Sequence, residues 1–296
     1  MSLNHKPKTV FITGFQKNCG KTTFLNYLLS KCPQGKNVFC ASVGVDNIKP
    51  DFLNTDFKPQ LKIKKGWSVL TNTEFLKTLL APYKIMDIID SDVMGAKPCI
   101  ISPLIDSYIR LSSCGTNSQT YNLITEKAKK SDIVYIDGAF DRITQLSLFD
   151  DSEFFYVFKV STSNIETVIE KILYLESMRD ITVKIENRSF INNMSDDIVV
   201  HGDTLYLKGA LTYSKIDMFD EKIKKIVISD FTKIFLSYRD WIKFTTKYKV
   251  FFTSEFNFCG YVINLYDIKG NDFSKKFDKK VYNRFIYNPY EYRKIL

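Results

Sequence analysis

The sequence predicts an α/β protein whose mostly parallel sheet carries helices on both faces and an inserted hairpin. Three observations carry that prediction. Short apolar runs rich in β-branched and aromatic residues alternate with helical segments along the chain, which is the order a parallel sheet with crossover helices needs. A glycine loop joins the first such run to the first helix. Two of the runs, ending at Asp46 and Asp137, stop on a carboxylate at the edge where open α/β sheets bind ligands.

The elements follow in order. Val10-Phe11-Ile12 reads as a strand ending at Gly14, and Thr23 to Leu29 as an apolar-rich helix. Val38 to Gly44 is a continuous apolar run, so it is expected as a strand buried on both faces and ending at Asp46. Leu61-Lys62-Ile63 and Ser68-Val69-Leu70 alternate on either side of Lys65-Gly66, the signature of a hairpin set into the parallel scheme. Residues 100–102 and 105–111 are further strand candidates. Thr120 to Lys130 has a polar-faced helical pattern, and Ile133-Val134-Tyr135-Ile136 forms a strand that closes on Asp137. Beyond it, Phe154 to Val160, Leu205 to Leu207, Ile226 to Ile228, Val250 to Phe252 and Tyr261 to Asn264 read as strands. Helices are expected at 165–178, 216–224 and 240–248, with a poorly patterned stretch from Asp180 to Asp203.

With 296 residues, the chain suits one large domain or two small ones. No Gly, Ser or Pro linker and no internal repeat separates the halves. The expectation is therefore a single domain over 4–296, with 4–150 carrying the ligand edge and 151–296 completing the same sheet. Hydrophobic residues make up 45 % and charged residues 25 %, the balance of a globular protein with a sizeable core. No run approaches the ~18–20 apolar residues of a membrane helix, and Met1-Ser2-Leu3-Asn4-His5-Lys6 lacks a signal-peptide core. A cytoplasmic protein without a membrane partner is expected. The net charge of +9 comes from 42 Lys and Arg interleaved with 33 Asp and Glu. No sharp basic patch or reading motif accompanies it, which argues against nucleic acid. The six cysteines are scattered, with no C-x-x-C pair, so they read as reduced thiols.

Gly14-Phe15-Gln16-Lys17-Asn18-Cys19-Gly20-Lys21-Thr22-Thr23 has the composition and the strand-to-helix context of a P-loop. Such a loop wraps phosphates in backbone N–H groups at a helix N-terminus, where the dipole favours negative charge. On this reading Gly14, Lys17, Asn18, Cys19, Gly20, Lys21, Thr22 and Thr23 line a nucleoside triphosphate. Lys21 reaches its β- and γ-phosphates and the Thr22 hydroxyl ligates Mg²⁺. Cys19, at a helix N-terminus, is placed where a thiol pKa falls, although it reads more readily as a small residue filling a turn. A carboxylate is needed beside the metal, and Asp137 and Asp46 are the candidates, for catalysis as for Mg²⁺. Asp46 stands as readily as a turn residue. Asp141 and Arg142 lie just beyond Asp137; the arginine suits a transferring phosphoryl group, and the two together suit a structural ion pair.

Five residues, not the usual four, separate Gly14 from Gly20. This spacing resembles dethiobiotin synthetase and the cobyric acid synthase group, in the branch of P-loop proteins that holds MinD-like ATPases and metal-enzyme G-protein chaperones. The branch implies ATP with Mg²⁺, a nucleotide contact for Lys17 early in the loop, a base-reading role for Asn264 at the end of a late strand, and pairing of two copies across the nucleotide.

A closer resemblance rests on separated stretches: Thr13 to Thr23, Ser42-Val43-Gly44-Val45-Asp46, Ile136-Asp137-Gly138-Ala139-Phe140-Asp141-Arg142, Lys208-Gly209-Ala210-Leu211-Thr212, and Asp230 to Phe235. Together these resemble the P-loop subunit of the ATP-dependent reactivase of adenosylcobalamin-dependent lysine 5,6-aminomutase. The resemblance implies a slow ATPase that works beside a MutS-like ATPase subunit to free a cobalamin-dependent aminomutase of damaged cofactor. Two places depart from the pattern. Tyr213 follows Thr212 where an acidic residue is expected, and Asn264-Leu265-Tyr266-Asp267 lacks an Asn-Pro pair.

Other classes predict other signs. A dethiobiotin-synthetase-like enzyme needs catalytic lysines beyond the loop, which a lysine-rich chain neither supplies distinctly nor lacks. A G-protein metallochaperone predicts Asn-Lys-x-Asp for guanine, whereas Asn193-Met194-Ser195-Asp196 and Asn264 to Asp267 have only the outer letters. A nucleotide-sensing scaffold needs the loop alone.

Overall fold

The computed structural model describes residues 6–43, 60–91, 93, 95–140, 143–149 and 152–287. Along the chain the elements are β1 (Lys8–Gly14), α1 (Lys21–Lys31), β2 (Val38–Val43), β3 (Leu61–Ile63), β4 (Ser68–Asn72), α2 (Thr73–Leu76), β5 (Tyr83–Ile88), β6 (Pro98–Pro103), β7 (Ser107–Ile109), α3 (Asn117–Lys127), β8 (Ile133–Phe140) and β9 (Glu153–Val160). There follow α4 (Ile165–Arg179), β10 (Thr182–Val183), α5 (Arg188–Asn193), β11 (Ile198–His201), β12 (Thr204–Leu207), α6 (Tyr213–Ile216), β13 (Lys225–Ile228), α7 (Tyr238–Lys247), β14 (Lys249–Phe252), β15 (Phe258–Leu265), α8 (Gly270–Ser274), α9 (Lys279–Tyr282) and β16 (Phe285–Tyr287).

The chain divides into two compact units. The first comprises Met1–Lys159, Phe258–Asp267 and Tyr282–Leu296, and the second Val160–Asn257 with Ile268–Val281. The first unit is built on a nine-stranded sheet of order β16-β15-β9-β1-β8-β2-β4-β6-β5. Its β1–β8, β1–β9, β2–β8, β2–β4 and β15–β16 pairs are parallel, and the β4–β6 and β5–β6 pairs are antiparallel. This is the α/β architecture with a large, mostly parallel sheet that the alternation of strand and helix predicts.

The central strands are largely apolar because both of their faces are covered. Every residue of β2 is buried, as are the last five of β1. Side chains alternate along β1: Val10 and Ile12 join the cluster that holds Phe24, Leu25 and Leu29 of α1. Phe11 points the other way, onto Phe149 at 5.8 Å between ring centroids, and Phe149 in turn meets Tyr121 of α3. At 11 residues, α1 is too short to hold in isolation. Each of its buried side chains contributes about 1.5–3 kcal/mol on docking, and that tertiary contact keeps it helical.

The second unit has a five-stranded sheet of order β10-β14-β13-β12-β11, parallel except for the β11–β12 hairpin. His201 pairs with Thr204 across a two-residue turn that includes Gly202 at φ 61°. Val227 and Phe251 pack with Ile191 and Met194, and Trp241 of α7 is wholly buried.

Three expectations are corrected. Residues 151–296 do not complete one sheet: β9, β15 and β16 join the first, while β10–β14 form a sheet of their own. The physical reason is local pairing, since β13–α7–β14 is a self-sufficient crossover unit whose strands pair with each other. The inserted hairpin is absent, because β3 pairs antiparallel with β7 and β4 pairs with β2 and β6. The Lys64–Trp67 turn, closed by Trp67 N–H donating to the Lys64 carbonyl at 3.3 Å, sends the chain from one sheet into another instead of folding it back. In place of a helix over 216–224 there is the single turn α6, followed by turns.

Candidate phosphate site

The site lies within the first unit, at the end of β1. Beyond Gly14 the chain stays with β9 for one more residue, Phe15 N–H donating to the Val157 carbonyl at 3.0 Å, and then turns back into α1. Two residues make that turn in the left-handed region: Asn18 at φ 55° and Gly20 at φ 99°. Asparagine tolerates this conformation better than most residues, and glycine without cost. Gly20 is also the N-cap of α1 and has no side chain to cap it. By contrast, α3 and α7 are closed by Thr116 and Ser237, whose hydroxyls accept from Gln119 N–H and Asp240 N–H. The first N–H groups of α1, those of Lys21, Thr22 and Thr23, have no partner within the helix, and its dipole adds partial positive charge there.

The loop is packed from both sides. Cys19 is 1 % exposed and its Sγ lies against Gly14, whose open side is also covered by the Lys21 stem, with Cγ 3.0 Å from where a Cβ would stand. Lys21 thus runs back over the loop. On the other side Asn264 of β15 donates from Nδ2 to the Cys19 carbonyl at 2.7 Å, and the same Nδ2 sits 2.6 Å from the Cβ position of Gly20. The resemblance implies a base contact for Asn264; the bond the structure gives it clamps the loop. Burial pushes the Cys19 thiol up from its ordinary value, outweighing the Lys21 charge and backbone donors that pull it down. The lowered pKa expected of a helix N-terminus is therefore corrected, because that expectation takes no account of desolvation.

Asp137 comes to the loop along β8, the neighbour of β1. Ile12 pairs with Asp137 and Gly14 with Phe140, so one residue of β1 faces two of β8 immediately after the aspartate. This is a β-bulge, a device that re-aims side chains at the ends of strands. Gly138 sits in it against the Phe11 ring and 2.8 Å from the Ile12 carbonyl oxygen at its Cβ position, which leaves no room for any larger residue. On the far side β2 supplies Ser42, whose Oγ donates to the Asp137 carbonyl at 3.2 Å. The end of β2 is held by Gln145, buried in a 3-10 turn, whose Nε2 donates to the Val43 carbonyl at 2.8 Å and to Asn117 Oδ1 at 3.1 Å. Nothing in the local sequence around Gln145 marks this tether; its partners lie 102 and 28 residues away.

Gly14 thus meets Cys19 and Lys21, Asn264 meets Cys19 and Gly20, Thr22 and Thr23 form the first turn of α1, and Asp137 ends up one strand away. Lys17 and Asn18 are exposed on the loop's outer side. Asp46, Asp141 and Arg142 fall outside the described residues. Among the described residues no three His, Cys, Asp or Glu side chains cluster to hold a metal. Among the described residues the site offers a hydroxyl and a carboxylate, Thr22 and Asp137, and that set fits Mg²⁺, which takes one or two carboxylates and completes its shell with phosphates and water.

The later sequence strings have structural tasks in the second unit. Lys208 donates from Nζ to the Met194 carbonyl at 2.7 Å, and Gly209 packs on Asp197. Leu211 N–H donates to the Lys233 carbonyl at 2.7 Å and its own carbonyl accepts from Phe235 N–H at 2.9 Å, so the two strings interlock. Tyr213, the departure from the expected acidic residue, donates to Ser237 and Asp240. No helix of the described residues is long and apolar enough to cross a membrane. No protein-family model, curated protein or solved structure matches the chain.

Proposed function

We propose that the first unit is a P-loop NTPase domain that binds ATP with Mg²⁺ and hydrolyses it slowly. The observation that carries this reading is the uncapped, left-handed entry into α1 at Gly20, with the Lys21 stem folded over Gly14 and Asp137 delivered by the adjacent parallel strand. A loop of this form presents backbone N–H groups and a cation to a polyphosphate, and a carboxylate at metal distance is the remaining requirement.

In this scheme the N–H groups of the loop and of the first turn of α1 hold the β- and γ-phosphates, and Lys21 neutralises charge between them. Thr22 and Asp137 would hold Mg²⁺, which screens the phosphate oxygens and withdraws charge from the bond that breaks. Water attacks the γ-phosphorus, the bond to the β–γ bridging oxygen breaks, and ADP and inorganic phosphate leave. Positioning and electrostatic stabilisation supply nearly all of such catalysis. Asp46, expected to assist the metal or the water, belongs to this scheme as an expectation from the sequence. ATP is favoured over GTP because the sequence contains no Asn-Lys-x-Asp.

The resemblance to the aminomutase reactivase supports a finer reading, in which the ATPase works with a MutS-like subunit to reactivate a cobalamin-dependent aminomutase. A slow hydrolysis rate suits that task, because the product is a conformational change in a partner. Titration with Mg-ATP tests the core of the proposal: wild type binds, Lys21→Ala does not, and equal binding by both, or none by wild type, refutes it. Hydrolysis that rises on adding the MutS-like subunit or an inactivated mutase supports the finer reading, and indifference to both removes it.

A further inference from the structure

The polyphosphate accounts for the loop but not for the aromatic and cationic pair beside it. Tyr266, one residue past β15, is 75 % exposed, far more than a Tyr placed for packing. Its ring is not loose, because Lys159 near the end of β9 holds Nζ 4.5 Å from the ring centroid. The pair sits at the loop's edge of the sheet. Cys259 donates to Glu153 at the start of both strands, Phe158 packs on Tyr261 further along, and Lys159 meets Tyr266 at the far end, so β15 and β9 run the same way as β1. Tyr266 therefore emerges at the carboxyl edge with Gly14. It lies two residues beyond Asn264, about 6–7 Å of extended chain, and Asn264 touches the loop itself.

We infer that Tyr266 is the stacking platform for the base of the bound nucleotide, with Lys159 as the positioning residue that fixes its ring. This rests on the nucleotide-binding reading of the loop. A nucleotide whose phosphates enter the loop leaves its base outside, and an exposed ring held from one side by a cation offers its other face to a flat heteroaromatic. Stacking reads the π-face that every base shares, so this contact supplies affinity for the nucleoside part without choosing among purines.

The test compares Mg-ATP with Mg-tripolyphosphate, which has the phosphates and no base, by calorimetric titration of the full chain. Tyr266→Ala is expected to weaken Mg-ATP roughly ten-fold and leave Mg-tripolyphosphate unchanged, while Tyr266→Phe retains wild-type affinity for both. Lys159→Met keeps the stem, removes the charge and is expected to fall between. Loss of both ligands in Tyr266→Ala, or loss of neither, overturns the inference. If wild-type protein binds neither ligand, the nucleotide-binding reading of the loop is what fails, and the base platform falls with it.

Discussion

Replacing Gly20 by alanine probes the loop and its clamp in one experiment. At φ 99° any L side chain is strained, by about 1–2 kcal/mol. The new methyl would also stand 2.6 Å from Asn264 Nδ2, closer than carbon and nitrogen can approach, so Asn264 must retreat and give up its 2.7 Å bond to the Cys19 carbonyl. Losing that bond costs about 0.5–1.5 kcal/mol, and Gly20→Ala alone should therefore cost about 2–3 kcal/mol. In an Asn264→Ala background the clash and the bond are already gone, leaving only the φ term. Equilibrium urea denaturation of the four proteins in the cycle should return a coupling of about 1 kcal/mol, well within what touching residues show. A cycle in which Gly20→Ala costs the same in both backgrounds refutes the placement of Asn264 over the loop.

Three further outcomes are expected. Asp137→Asn should lower Mg²⁺-dependent hydrolysis by roughly 100-fold while Mg-ATP affinity changes little; equal loss of both in a phosphate-release assay and a titration contradicts its role at the metal. Gly138→Ala forces the Phe11 ring or the Ile12 carbonyl aside and should cost about 1–3 kcal/mol, read as a lowered urea midpoint. Cys99, buried in β6, has its thiol pushed up from 9.0 to about 11 by desolvation. Between those values the unfolded chain sheds the proton and the folded chain keeps it, so stability falls as pH climbs from about 9 to 11; denaturation series across that range should show a shallower decline in Cys99→Ala.

The glycine loop between β1 and α1 and the strands beside it are legible because their signals are local. Short apolar runs such as Val38–Val43 read as strands covered on both faces, whereas the strand expected to close on Asp137 continues through Gly138 to Phe140 across a bulge that depends on its pairing with β1. Pairing partners are not local. Leu61-Lys62-Ile63 and Ser68-Val69-Leu70 alternate as hairpin strands do, yet the same alternation serves equally for strands that find β7 and β6, since a half-buried pattern records a covered face and not who lies alongside. The second sheet is hidden for a related reason. The chain enters and leaves the second unit twice, so no single stretch of linker composition marks a boundary. Desolvation escapes in the same way, as Cys19 shows: a helix N-terminus is written in the sequence, whereas the Sγ packed against Gly14 is a product of the fold. Asn264 falls between these cases, since its position at the end of a late strand is legible and its bond to Cys19 is not.

That bond joins residues 245 positions apart, which gives the site a history in time. A ribosome adding ~5–20 residues per second needs roughly 10–50 s between making the loop and making the strand that clamps it. Throughout that interval the nascent chain carries a complete glycine-lysine motif without the clamp that finishes it. Full loop geometry therefore waits for β15, and chains released before that strand should be defective in the loop however well their first strands have folded.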